Sequence, residues 1–340
     1  MPYPSQPRDR DRWVLDHRPA IRESLDPRRP AGWFVEEESS IGGGSASVLT
    51  VLLTNRECPW RCVFCDLWRH TLTGSASVSA DDLVAQLQLA FGDPDVRAAA
   101  PGELKLYNAG SYFDAGAIPP AADPPIASLA RSFRRLIVES HPSLVGDRCW
   151  RLRDRLAAPF AGSDLPPTEL EVAMGLETVN PAVLEALNKR VTLESFDRAA
   201  EALRRERVAF RAFVLVQPPF EAPGEAVEWA VRSATHAWAI GARRVSLIPV
   251  REGNGALEAL RREGRFRPPD LATLEEALER VLLEKSRVGG GLVEADTWDL
   301  ERFSKCPACF SGRRARLHRM NLEQRVIDGT PCPACGWGAR

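Results

Sequence analysis

The chain has 340 residues, 44% of them hydrophobic and 27% charged, which is ample for a buried core and excludes a wholly disordered chain. Lys and Arg total 45 against 46 Asp and Glu, a net charge of −1. That balance excludes a globally basic nucleic-acid binder and leaves open only a local basic patch.

Met1–Arg12 is rich in Arg, Asp and Pro and lacks the apolar segment of a secretory signal. No apolar run approaches the ~20 residues of a membrane span. A cytoplasmic location with no membrane contact is expected. In that compartment clustered cysteines are more often metal ligands than disulfides.

Residues 1–44 read as an irregular leader ending in Gly42-Gly43-Gly44. Short β-branched runs then alternate with longer helical patterns. The runs are Val48–Leu53, Leu104–Tyr107, Leu136–Val138, Leu170–Met174, Ala212–Val216 and Val245–Val250. Helical patterns cover Ser79–Phe91, Thr192 to Arg207, Glu225–Ala239 and Thr273–Lys285. Ser79 is an N-cap residue, followed by Asp81 and Asp82 where the helix dipole favours anions. Strand–helix alternation predicts an α/β fold with a parallel sheet and right-handed crossovers. Six units suit a partial (β/α)6 TIM-type barrel over 45–288; a doubly wound sheet has the same alternation. Gly289-Gly290-Gly291 reads as the break before a C-terminal extension, 289–340.

Seven of the eight cysteines fall in one triplet and two pairs. The triplet, Cys58-Pro-Trp-Arg-Cys62-Val-Phe-Cys65, directly follows the first run. Three thiolates on one loop can hold three corners of a [4Fe–4S] cluster and leave the fourth iron open for chemistry. Structural zinc instead wants four ligands, and the loop supplies three. Phe64 stands where it could shield the cluster edge. In a barrel this loop lies at the C-terminal end of the first strand, on the functional face.

Here the chain resembles the radical S-adenosylmethionine (SAM) superfamily, whose signature has this spacing. The resemblance implies that SAM chelates the open iron and that an electron, from a reductant such as ferredoxin or flavodoxin, cleaves it to a 5′-deoxyadenosyl radical. That radical takes a hydrogen from the substrate. It also implies that groups ending successive strands face SAM. After the second run stand Asn108, Ala109, Gly110 and Ser111, where Gly110 permits close backbone approach. Glu139 ends the third run and Glu177 the fourth; a carboxylate there needs a partner, in the cofactor, the substrate or an ion pair. Glu177 is therefore a candidate for both cofactor contact and catalysis. Cys149, the unpaired cysteine, is either a small buried residue or a hydrogen-atom donor near the substrate. His141 is a base, a ligand or a satisfied loop histidine.

The segments KLYNAGSYFD, VESHPSLV, EVAMGLETVNPAVLEALNKRVT, FVLVQPPF and RFRPPD are similar in order and spacing to the radical SAM enzymes of archaeosine synthesis. That family looks related to the core of the elongator catalytic subunit. The resemblance runs from about Leu49 to Cys309 and implies a tRNA partner. It implies C–N cleavage of a lysine adduct on a 7-cyano-7-deazaguanine base. Departures at Asn55-Arg56-Glu57, Gln217 and Arg190-Val191 mark a divergent subgroup. A radical enzyme acting on a small metabolite or peptide, and a non-catalytic zinc-stabilised nucleic-acid binder, are the competing readings.

The tail carries Cys306-Pro-Ala-Cys309 and, 22 residues on, Cys332-Pro-Ala-Cys335-Gly336. Four thiolates close a tetrahedron around Zn2+ in a zinc-ribbon-like module, and the same four suit a second Fe–S cluster. Between the pairs, Arg313, Arg314, Arg316, His318 and Arg319 form a basic stretch that suits RNA phosphates or a solvated face.

Overall fold

The computed structural model describes residues 2–20, 24–74, 76–159, 166–222 and 224–338. Eight strands form one sheet in sequential order: β1 (Gly32–Ser39), β2 (Ser45–Leu53), β3 (Glu103–Asn108), β4 (Arg135–Ser140), β5 (Glu169–Glu177), β6 (Ala209–Val216), β7 (Arg244–Pro249) and β8 (Leu292–Ala295). β1 runs antiparallel to β2, and every later pairing is parallel. The six expected runs are β2 to β7, so the predicted barrel core is present.

The helices that matter here are α1 (Pro7–Asp16), α2 (Ala80–Gly92), α3 (Asp147–Ala157), α4 (Pro181–Ala186), α5 (Leu193–Arg205), α6 (Ala226–Ala239), α7 (Ala256–Arg262), α8 (Leu271–Val288) and α9 (Pro307–Glu323). Ser79 caps α2 reciprocally with Asp82, its hydroxyl accepting the Asp82 N–H at 3.1 Å. No helix among the described residues is long and apolar enough to cross a membrane.

Alternate strand residues bury two different surfaces. Leu104, Leu106, Leu136, Val138, Val172, Met174, Phe210, Val214 and Leu247 lie in the main apolar core with the helices. The opposite parity carries charge at the N-terminal end of the strands. Arg211, 1% exposed, bonds Glu171 of β5 at 2.5 Å and Glu38 of β1 at 3.1 Å. Arg244 meets Glu294 of β8 at 2.5 Å, and Lys105 pairs with both Glu36, at 2.7 Å, and Glu38. β1 thus touches β6 and β7 although five strands separate β1 from β7 in the sheet. Only a sheet curled nearly into a barrel allows that. The ions fill one end of its lumen, and the C-terminal ends of the strands form the other.

Two expectations about the ends of the chain change. The stretch 1–44, expected as irregular, contains α1 and β1. The inward side chains of β1 are Glu36 and Glu38, so its burial leaves no apolar alternation to read. The triple glycine at 289–291 is not a break, because β8 follows it and pairs with β7. A Cβ at Gly290 would lie 2.5 Å from the Trp238 ring, and one at Gly291 would lie 2.5 Å from the Arg243 carbonyl oxygen. These glycines let the chain press onto the sheet. The eight-stranded sheet therefore runs past residue 288.

Candidate functional site

The cysteine loop leaves β2 at the C-terminal mouth of the barrel. It is fastened by three backbone and amide bonds from two other segments. Val63 N–H donates to the Leu187 carbonyl at 3.0 Å. The Asn188 amide donates to the Arg61 carbonyl at 2.9 Å, and the Asn254 amide to the Val63 carbonyl at 2.8 Å. Arg61 folds back on its own loop, donating to the carbonyls of Cys58 and Trp60. The leader adds a second apolar core here, in which Tyr3, Trp13 and Val14 pack with Val63, Leu187 and Leu257, and Phe64 lies against it. Phe64 therefore belongs to the wall under the loop.

The residues after β3 meet this loop directly. Gly110 has φ +140°, and a Cβ there would lie 2.6 Å from the Cys58 Cβ. No side chain fits without moving the loop. A Gly110→Ala variant is expected to lose about 1–3 kcal/mol of stability and most of any iron that the loop takes up. Thermal unfolding and iron analysis check this, and a wild-type iron content would contradict it. Ala109 is buried beside Gly110, and the Ser111 hydroxyl lies 3.2 Å from that of Ser140.

Asn108 is 5% exposed, and neither polar atom of its side chain has a hydrogen-bond partner among the described residues. Burying an amide unsatisfied costs about 1–3 kcal/mol. Two residues on, Gly110 presses the end of β3 against Cys58. The donor set fits a [4Fe–4S] cluster with one open iron.

Glu139 accepts the Asn108 backbone N–H at 3.3 Å. Burial pushes its carboxyl up to about 8, against the pull of that N–H and of Lys189. The folded protein therefore keeps Glu139 protonated where the unfolded chain ionises it, from its ordinary value near 4.5 up to about 8. The native state binds more protons there, so this group's contribution falls as pH rises through that window, by up to about 1.4 kcal/mol per unit. Glu139→Gln is expected to flatten that slope in urea unfolding across the window; an unchanged slope would contradict the assignment. His141 works in the opposite sense at lower pH. Burial holds it down at about 4, so its contribution is lost as pH falls from 6.5.

Glu177, at the end of β5, is buried and already partnered. It has φ +66° at a register shift after Gly175, and its carboxylate is paired with Lys189. Lys189 also donates to the Gly175 carbonyl at 3.1 Å. The structure thus supplies the ion-pair partner among the three kinds of partner the sequence allowed. His141 is satisfied as well. It stacks on Trp60 of the cysteine loop, with centroids 3.8 Å apart and planes 7° apart. Its Nε2–H donates to the Lys189 carbonyl at 3.0 Å, leaving Nδ1 to accept from Ser143. His141 is a bracket between the loop and Lys189.

Cys149 is fully buried on α3 in the main apolar core, where burial pushes its thiol far up. Its surroundings are those of a small apolar residue, and it is not gathered with the cysteine loop. The tail brings Cys306, Cys309, Cys332 and Cys335 together, with all four Sγ atoms within 4.8 Å of one another. The 22 residues between the pairs are mostly helix α9, where a ribbon would have strands. The expected basic stretch is largely consumed. Arg313 is buried on Glu275 at 2.6 Å, Arg316 on Glu279 at 2.6 Å, and Arg319 pairs with Glu323 at 3.0 Å. Of the five, Arg314 and His318 stand exposed, without such a partner among the described residues.

Sequence reasoning missed Lys189, Trp60, Asn188 and Asn254 as supports of the loop. For Lys189 there was a signal. The chain has only four lysines, and two of them, Lys105 and Lys189, are drawn into ion pairs inside the barrel.

No family model matches the chain. It is 26% identical over 334 residues to archaeosine synthase subunit beta of Methanosarcina acetivorans, covering 93% of this chain and 90% of that one. It is 22% identical over 272 residues to an uncharacterised protein of Methanocaldococcus jannaschii, covering 76% and 71%. Among solved structures, the radical SAM methyltransferase TsrM from Kitasatospora setae aligns with a TM-score of 0.41 at 16% identity. That alignment covers 63% of this chain and 39% of TsrM, so the chain spans about two-fifths of that structure's length. The chain thus resembles archaeosine synthase subunit beta along most of its length, as a divergent relative.

Proposed function

We propose that this chain is a radical SAM enzyme that modifies a base in tRNA. The observation that carries the radical reading is the loop of Cys58, Cys62 and Cys65 at the barrel mouth, with Cys58 pressed against Gly110 at the end of β3. In this reading the three cysteines hold the [4Fe–4S] cluster. Asn108, Ala109, Gly110, Ser111 and Glu139 line the place of SAM. Bound there, cluster and SAM supply a carbon radical able to take hydrogen from an unactivated C–H bond. The chain's own residues do the rest. Asn188, Asn254 and the Trp60–His141 stack fix the loop. The ions at the opposite end of the lumen leave the mouth as the way in for substrate.

Similarity over 93% of the chain to a protein named as a subunit of archaeosine synthase supports a tRNA-base substrate and C–N cleavage. The same name supports a partner subunit. The electron donor of the reading is a ferredoxin or flavodoxin. Comparing nucleosides of tRNA from cells with and without the gene tests the substrate. The reading expects one modified nucleoside to disappear and its precursor to accumulate. An identical profile would overturn the tRNA assignment and favour a small metabolite or peptide.

A further inference from the structure

The barrel has an open seam. β1 and β8 are the two edges of the sheet and do not pair with each other. An exposed edge leaves a row of backbone N–H and C=O groups unsatisfied. Helix α9 lies in this gap, in contact with both β1 and β8. Two side-chain amides at its C-terminal end take the place of a missing strand. Asn321 donates to the Ala295 carbonyl and accepts the Ala295 N–H, both at 2.8 Å. Gln324 donates to the Val293 carbonyl at 2.6 Å and accepts the Val293 N–H at 3.0 Å. Residues 293 and 295 share one edge of β8, so both of its outward backbone pairs are answered from one helix end.

The other end of α9 is where the four tail cysteines meet. Cys306 is its N-cap residue and Cys309 lies in its first turn. Cys332 and Cys335 come from the turn beyond, closed by the Gly336 N–H on the Cys332 carbonyl at 2.9 Å. Arg313 joins the two parts, bonding Glu275 of α8 and lying 4.7 Å over the Trp337 ring. The Cys309 and Cys335 sulfurs are 3.8 Å apart, and all four lie within 4.8 Å. Four thiolates around one ion at ~2.3 Å put neighbouring sulfurs ~3.8 Å apart. A cubane sets each thiolate on a different iron and spreads them more widely.

We infer that the tail cysteines bind one tetrahedral divalent ion of the zinc type, and that this ion fastens α9 into the seam of the barrel. The inference does not depend on the radical chemistry. A module this small has little core of its own, so ligation supplies the energy that seats it.

The test uses the full chain, purified without oxygen, with zinc, iron and sulfide measured together with hydrogen exchange at Val293 and Ala295. The wild type is expected to hold one zinc per chain, and a Cys58→Ser variant to keep it. A Cys332→Ser variant is expected to lose zinc, keep the loop iron, and exchange Val293 and Ala295 faster by on the order of tenfold or more. A Gln324→Ala variant, which leaves the ligands in place, is expected to keep zinc and speed Val293 exchange alone or with Ala295. Stripping zinc from the wild type with a chelator repeats the comparison should the cysteine variant fail to fold. Iron and sulfide in the tail of a chain lacking Cys58, Cys62 and Cys65 would overturn the ion. Zinc loss with unchanged exchange at both amides would overturn the clasp.

Discussion

A Cys62→Ser variant is expected to bind no [4Fe–4S] cluster and to form 5′-deoxyadenosine only at background. Serine keeps the shape but replaces a soft thiolate by a hydroxyl that iron in such clusters holds poorly. The loop has no spare cysteine. Cys149 is buried on α3, and the four remaining cysteines are gathered in the tail. The fold should survive, because the loop's attachments at Val63, Arg61 and Asn254 do not involve the Cys62 sulfur. Unfolding within about 1 kcal/mol of wild type, with no cluster absorption and no SAM cleavage, is the predicted combination. SAM cleavage at the wild-type rate would contradict the assignment of the loop.

A Lys189→Met variant carries the second large effect, on stability. Glu177 is 4% exposed and its carboxylate relies on Lys189. Removing one member of a buried pair costs about 3–5 kcal/mol, because the other charge stays in a low-dielectric site without compensation. The Gly175 carbonyl loses its donor in the same step. The double variant Lys189→Met/Glu177→Gln removes both charges and should recover most of the loss. Urea unfolding of the four chains in a double-mutant cycle gives the coupling directly. Additive losses would show that the pair is not a unit. Lys189 also carries the carbonyl to which His141, stacked on Trp60, donates, so iron content should fall in the single variant more than in the double.

Local signals were enough for β2 to β7, because each buries apolar residues against a helix and each is bounded by turn residues. The capping box at Ser79 and Asp82 is equally local. β1 was illegible for a physical reason. The residues that make it a barrel strand, Glu36 and Glu38, find their partners in Lys105, Arg211 and Arg244, far along the chain. β8 was hidden behind three glycines that serve close packing on Trp238 and Arg243. The tail arginines read as a phosphate surface or a solvated face because charge in a sequence carries no burial. The structure turns Arg313 and Arg316 inward onto Glu275 and Glu279.

At the site, the ligands were legible and their supports were not. Cysteine spacing alone marks Cys58, Cys62 and Cys65. That Gly110 must be glycine depends on where Cys58 comes to rest, 52 positions earlier by number but in van der Waals contact in space. Glu177 was legible as a buried acid needing a partner. Its partner, Lys189, stands beyond α4, and only the fold returns it to the end of β5.

Anaerobic reconstitution with iron and sulfide, followed by addition of SAM and a strong reductant, tests the central claim most directly. A cluster absorption band that depends on Cys58, Cys62 and Cys65, together with 5′-deoxyadenosine formed in proportion to enzyme, is the result the account predicts. A chain that takes up zinc in the loop and yields neither the band nor 5′-deoxyadenosine would contradict it.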